Sequence, residues 1–250
     1  MNSMGKTVLV YFSATGNTKT CLEAMAKAVS DSFETIDLTL PANVRPCRFA
    51  KDDLVLFGAP VYGGRIPAVA RQRLEQMQGD GTPCLVVASY GNRHYDDALL
   101  ELADMAEAQG FVVKGGAAVI GRHTYGEIQV SRPDGEDLSA CAAFAKEALA
   151  RPDHPIAIPG NRPYKDGGNG GRFRPLTKDT CVQCGLCVNR CPVEAIAADC
   201  RTVADHCIAC FRCIRSCPVG AKHTDTPVYN EFAADFTQRL KDRRENEFFL

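Results

Sequence analysis

Eight of the thirteen cysteines in this 250-residue chain fall into two copies of one spacing. Cys181, Cys184, Cys187 and Cys191 run up to Pro192, and Cys207, Cys210, Cys213 and Cys217 run up to Pro218. Each copy reads C-x2-C-x2-C-x3-C-P. Three thiolates that close along the chain converge from a tight loop on three irons of one cubane, whereas the fourth opens the next turn and is better placed to reach the other cubane. The spacing therefore predicts one [4Fe-4S] cluster on Cys181, Cys184, Cys187 and Cys217, and a second on Cys207, Cys210, Cys213 and Cys191. Proline after each distal cysteine bends the chain away and removes a backbone donor. Zinc knuckles would explain groups of four cysteines, but not the repeated third cysteine at the same short spacing with a Cys-Pro behind it.

A second kind of chemistry is suggested near the N-terminus. Thr7 to Phe12 is a β-branched and aromatic run that reads as a buried strand, and Lys19 to Val29 has the apolar spacing of a helix. Between them lies Ser13-Ala14-Thr15-Gly16-Asn17-Thr18. Amides at a helix start, with the hydroxyls of Ser13, Thr15 and Thr18, form an anion site. The G-x-G-x-x-G of a dinucleotide site is not there. A helix cap without a ligand would use the same residues.

The elements that must position these groups alternate. Strands are predicted at 33–38, 54–57, 83–89 and 111–120, and helices at 67–77, 96–109 and 138–150. Five strands alternating with helices argue an α/β fold with a parallel sheet covered on both faces. The order 2-1-3-4-5 is expected, with ligand at the carboxyl ends of the strands. Two loops stand there: Gly58-Ala59-Pro60-Val61-Tyr62-Gly63-Gly64-Arg65 and Ser89-Tyr90-Gly91-Asn92-Arg93-His94-Tyr95.

On these motifs the cysteine segment resembles a bacterial-type two-cluster ferredoxin, a small α+β carrier of single electrons at low potential. Residues 5–150 resemble a flavodoxin, a doubly wound domain that binds FMN. That resemblance implies that Ser13, Thr15, Gly16, Asn17 and Thr18 hold the phosphate of FMN. It also implies that Pro60, Val61, Tyr62, Gly63, Gly64, Ser89, Tyr90, Gly91, Asn92, Arg93 and Tyr95 clasp the ring, with Tyr62, Tyr90 and Tyr95 against its faces. The whole order resembles the flavodoxin/ferredoxin fusion proteins found mainly in anaerobes.

The expected division is a flavodoxin-like domain at 1–150, a linker at 151–175, a two-cluster domain at 176–225, and a C-terminal helix and tail at 226–250. The linker carries five prolines and five glycines, and its Arg162, Lys165, Arg172 and Arg174 are expected to be solvated, with docking of some of them on the acidic first half as the alternative. The loop 121–137 can cover the ring, gate a substrate or rest on the cluster domain. His123 within it, with Tyr95, is a candidate proton donor, although a surface histidine is the plainer reading. Cys200 is expected to be a small buried side chain outside both ligand sets. The tail is read as a helix through Phe232, Phe236 and Leu240 that packs back on the body, with partner binding as the alternative.

Formal net charge is -1, divided as 14 Lys/Arg against 18 Asp/Glu in residues 1–150 and 15 against 12 in the remainder. Neither half has the dense basic patch of a nucleic-acid binder. No apolar segment is long enough for export or a membrane span, so a reducing cytoplasm is expected. The implied function is electron transfer between an external low-potential donor or redox partner protein, two [4Fe-4S] clusters and FMN. Two further readings are an FMN-dependent reductase with a small-molecule acceptor and a docking module with structural clusters.

Overall fold

A computed structural model describes residues 5–152 and 154–250. The first four residues of the N-terminal lead and Asp153 of the linker lie outside the described residues. The first half runs β1 (Thr7–Tyr11), α1 (Asn17–Val29), β2 (Glu34–Asp37), β3 (Cys47–Phe49), β4 (Leu54–Pro60), α2 (Ala68–Leu74), β5 (Met77–Gly79), β6 (Thr82–Tyr90), α3 (Ala98–Ala108), β7 (Phe111–Ile120) and α4 (Gly135–Ala150). After a segment without regular structure come β8 (Leu176–Thr177), α5 (Leu186–Asn189), α6 (Arg212–Arg215), β9 (Lys222–His223), α7 (Pro227–Arg239) and β10 (Glu247–Phe249).

The main sheet has the order β10-β7-β6-β4-β1-β2. Its first five strands in sequence are parallel and stand in the expected 2-1-3-4-5 arrangement. Alternation along β1 explains why both faces are covered: Val8 and Val10 enter one core, Leu9 and Tyr11 the other. Helices α1 and α4 close the second face through Leu22, Met25, Cys141 and Phe144. Gly58 lets α1 approach, because a Cβ there would stand 2.6 Å from the Thr18 methyl and 2.7 Å from a Leu22 methyl.

The structure decides between readings of the linker and adds to that of the tail. For Arg162 and Lys165 it realises docking on the acidic first half. Arg162 pairs with Asp104, Lys165 reaches Asp96 at 3.0 Å, and the Lys165 amide donates to Asp97 at 2.8 Å. The irregular segment is thus strapped along α3.

The tail also does more than pack a helix. After α7 the chain returns to the first half, and β10 adds antiparallel to β7 as the edge strand. Asn92 holds the approach by donating to the carbonyls of Leu240 and Asp242 at 2.9 and 2.7 Å. The buried pair Arg132 and Asp137 holds the rest, with Arg132 donating to the Arg244 carbonyl at 2.6 Å and Asn246 donating to Asp137 at 2.9 Å. Among the described residues no helix is long and apolar enough to cross a membrane.

Candidate cofactor sites

A narrow cleft opens at the carboxyl ends of β1, β4 and β6. It is lined by Ser13, Ala14, Thr15, Asn17, Thr18, Pro60, Val61, Tyr62, Ser89, Tyr90 and Gly91, and by Arg122, His123 and Thr124 of the 121–137 loop. Gly16 caps α1 in the left-handed conformation, leaving the first amides of a 13-residue helix aimed out of its end. Two of the loop's hydroxyls are already engaged: Ser13 accepts from the Lys19 amide at 3.3 Å, and Thr18 and Ser89 share a bond of 2.6 Å. Asn17 donates to the Arg122 carbonyl at 2.9 Å, which ties the phosphate-type loop to the 121–137 loop.

One polar atom of a cleft residue suits a ligand with an anionic group. The Arg122 Nε is buried without a partner among the described residues, and buried polar groups of that kind are ordinarily paired. The residues present therefore fit FMN.

Five of the residues expected at the ring are placed elsewhere. Tyr95 is 2% exposed, packs on Tyr90, and donates its hydroxyl to Glu247 at 2.8 Å; burial and that bond push its pKa far up. Asn92 is spent on the tail, and Arg93 turns outward to Asp96. Gly63 and Gly64 make the left-handed turn that leads into Arg65, whose guanidinium grips Glu101 at 2.6 and 2.7 Å. Gly91 lines the cleft, and a Cβ on it would stand 2.2 Å from the His123 ring. What needs a glycine there is the histidine rather than a ring.

His123 was legible as a candidate, and its surroundings decide its state. Burial, with help from the Arg215 and Arg93 charges, outweighs its bond with Tyr125 and lowers its pKa to about 4. The Tyr125 amide donates to Nδ1 at 2.8 Å. Nδ1 also stands 3.1 Å from the Tyr125 carbonyl, which favours the charged ring. Burial prevails, so the imidazole is neutral at pH 7 and a poor acid.

In the second half the two cysteine runs fold alike. Gln183 and Ala209 hold φ of 51° and 50°, and Gly185 and Phe211 hold 75° and 58°. Helix α5 then carries Cys187 within the first copy, and α6 carries Cys213 within the second. The distal cysteines match too: Ala195 donates its amide to Cys191 Sγ and Ala221 to Cys217 Sγ, both at 3.2 Å. Two small apolar pockets result. Cys181, Cys184, Cys187 and Cys217 line one; Cys191, Cys207, Cys210 and Cys213 line the other. The first pocket is lined by Cys200 as well. Among the described residues no three His, Cys, Asp or Glu converge on one point as around a single ion.

The chemistry of the donors fits iron. Burial pushes the Cys187 thiol up to about 11 and Cys210 and Cys213 up to about 12, and bound metal would displace those protons outright. Cys217 goes the other way: burial raises it, but amides from Lys222, Val219, Ala221 and Gly220 prevail and lower it. Cys200, expected to be a bystander, is 1% exposed and also lines the first pocket, beside Cys187.

The two sites share a wall. Phe12 and Ala14 of the first half and Ile208 and Cys210 of the second belong to one buried cluster, with Ala70 inside it and Tyr62 packed against it. Arg212 donates to the carbonyls of Ser13 and Ala14 at 3.3 and 3.1 Å, Arg215 to that of His123 at 2.9 Å, and Arg73 to that of Pro192 at 2.7 Å. Of the three expectations for the 121–137 loop, the structure realises the third: Tyr125 packs on Phe211, Phe173 and Phe232 at centroid distances of 5.1, 5.6 and 5.9 Å. The spacing gave no hint of these aromatic partners, because they lie on four separate segments.

Comparison with known proteins agrees with this division. A flavodoxin domain model matches residues 8–88, and a 4Fe-4S binding domain model matches residues 175–197, which holds the first cysteine run. No curated protein matches the chain in sequence. Among solved structures, an archaeal flavodoxin is 16% identical with a TM-score of 0.37, over 57% of this chain and 95% of that one. Oxidised flavodoxin 2 from Bacillus cereus is 17% identical with a TM-score of 0.42, over 58% and 98%. The Flv1 flavodiiron core from Synechocystis is 19% identical with a TM-score of 0.42, and this chain, 59% of it aligned, spans 37% of its length. The chain thus joins a flavodoxin domain in its first half to a 4Fe-4S binding domain in its second, with a shared wall between them.

Proposed function

We propose that this protein passes electrons between an external low-potential carrier, two [4Fe-4S] clusters and FMN, and that the clusters act in a fixed order. The observation that carries the reading is the apolar cluster in which Cys210 packs with Phe12 and Ala14. It sets the pocket of Cys191, Cys207, Cys210 and Cys213 against the flavin cleft. The other pocket is the outer one: Cys184 is exposed, and Val182 and Val219 beside it are 63% and 47% exposed. The partner protein therefore meets the chain at Cys184, and electrons move inward from there.

When bound, the cubanes supply single-electron steps, and FMN supplies a carrier of one or two electrons. The protein's residues supply the rest. Thr15, Gly16, Asn17 and Thr18 at the start of α1 bind the phosphate of FMN, with Arg122 completing its charge. Pro60, Val61, Tyr62, Ser89, Tyr90 and Gly91 flank the ring. Phe12, Ile208 and Tyr62 keep water out of the wall between flavin and inner cluster. One polypeptide for both sites also replaces a diffusive encounter by a tethered one.

The test is stopped-flow reduction of the flavin by a low-potential donor, without oxygen, in the full chain and in Cys184→Ser and Cys210→Ser variants. Flavin reduction should slow in both. An unchanged rate in Cys210→Ser protein that has lost its inner cluster would reject the relay and favour clusters that serve only to dock the halves.

A further inference from the structure

Lys222 stands on β9, opposite Thr177 of β8, and is 3% exposed. It lines the outer pocket with Cys181, Cys184, Cys187 and Cys217. Its Nζ is buried and meets no partner among the described residues. Lysine ordinarily snorkels its ammonium to water, and a buried charge persists where an opposite charge compensates it.

No carboxylate does so here. Asp199 feels the Lys222 charge, but its oxygens accept from the Thr202 hydroxyl at 2.7 Å and from the amides of Arg201 and Thr202 at 2.8 and 2.9 Å. The side chains that share its pocket are Cys181, Cys184, Cys187, Cys200 and Cys217 together with apolar groups, and none of them is a carboxylate. The same stretch serves Cys217 through the Ala221 amide at 3.2 Å, so the lysine cannot swing away without disturbing a proposed ligand.

We infer that Lys222 is the fixed countercharge of the outer [4Fe-4S] cluster and makes that cluster easier to reduce. The inference rests on the two-cluster reading above. A cubane with four thiolates is anionic, and reduction by one electron from the external carrier adds one further negative charge. A cation at fixed distance therefore favours the reduced form, and strongly so in a pocket of low dielectric. No bond to Lys222 forms or breaks in the step, and the electron comes from the external carrier. Lys222 lines the outer pocket and not the inner one, so removing it should change the difference between the two.

The experiment compares wild type, Lys222→Met and Lys222→Arg full chains, purified without oxygen, by iron and sulfide content and by redox titration followed by electron paramagnetic resonance. Lys222→Met should keep about eight irons and lower one midpoint. The equilibrium constant for that reduction should fall at least tenfold, about 59 mV for a one-electron couple. Lys222→Arg should stay near wild type. Repeating Lys222→Met on a Cys210→Ser background should preserve the shift, because the outer cluster remains. Loss of one cluster from Lys222→Met alone, with Lys222→Arg intact, supports the same role through assembly. Unchanged midpoints at full iron content overturn the inference, as does equal cluster loss in Met and Arg variants, which would make the site one of packing. A wild-type chain with far fewer than eight irons would instead refute the two-cluster reading, and the countercharge with it.

Discussion

Arg212 donates to the carbonyl of Ala14 at 3.1 Å across 198 positions of sequence. The arginine lies between two proposed ligands of the inner cluster, Cys210 and Cys213, and the alanine lies in the loop that starts α1. One side chain thus couples the geometry of the cluster run to that of the flavin phosphate site. Beside it Phe211 holds a left-handed φ of 58° where the first copy has Gly185. That conformation costs about 1–2 kcal/mol in a residue with a side chain, and what offsets it is the packing of Phe211 on Tyr125 at 5.1 Å.

Replacing Arg212 with Gln should free the 13–18 loop. Its guanidinium bonds to two carbonyls, and charged hydrogen bonds contribute roughly 1.5–3 kcal/mol. Hydrogen–deuterium exchange in the loop should accelerate about tenfold or more. Unchanged protection would mean that apolar packing alone joins the halves.

Thr15 makes no hydrogen bond within the described residues, whereas Ser13 accepts from the Lys19 amide and Thr18 shares a bond with Ser89. Thr15→Val should therefore weaken FMN by about 1.5–3 kcal/mol and riboflavin by far less. Fluorescence titration with both compounds measures this, and equal weakening would place the loop away from the phosphate.

Cys184→Ser and Cys210→Ser should each lower the iron content from about eight to about four, the first at the outer pocket and the second at the inner. Cys200→Ser should leave both cluster spectra largely intact, although Cys200 lines the outer pocket. A Cys200→Ser chain that lost iron as the other two do would move Cys200 into the ligand set.

The pair Arg132 and Asp137, with side chains 1% and 2% exposed, carries the return of the tail. Arg132→Met leaves a buried carboxylate uncompensated and should cost about 3–5 kcal/mol. A urea titration of the full chain reads this as an earlier midpoint. A loss below about 1 kcal/mol would show that Asp137 finds Arg243 or water instead.

His123 makes stability depend on pH. Its folded pKa of about 4 lies below its ordinary 6.5, so between those values the unfolded chain binds a proton that the folded chain refuses. Stability is then complete above about 6.5 and falls as pH drops toward 4, by about 3 kcal/mol in all. His123→Asn should flatten this part of the unfolding profile. An equally steep profile in the variant would assign the slope to other groups.

Much of this molecule is local in sequence and was legible there. The repeated cysteine spacing marked two runs with ligand chemistry, because side chains a few residues apart are constrained by backbone geometry alone. Alternation in β1 and helical spacing in α1 identified the strand, loop and helix that open the cleft, and strand count anticipated the sheet order. Only the tertiary structure decided the rest. Phe248 and Phe249 show no strand period, and β10 exists because the open edge of β7 supplies its hydrogen bonds. Tyr95 and Asn92 looked like ring contacts in a promising loop, yet Glu247 and the tail carbonyls claim them from 152 and 148–150 positions away. The same holds for Arg212 on Ala14 and for the orphaned ammonium of Lys222: such contacts form by long-range packing, and no local period encodes them.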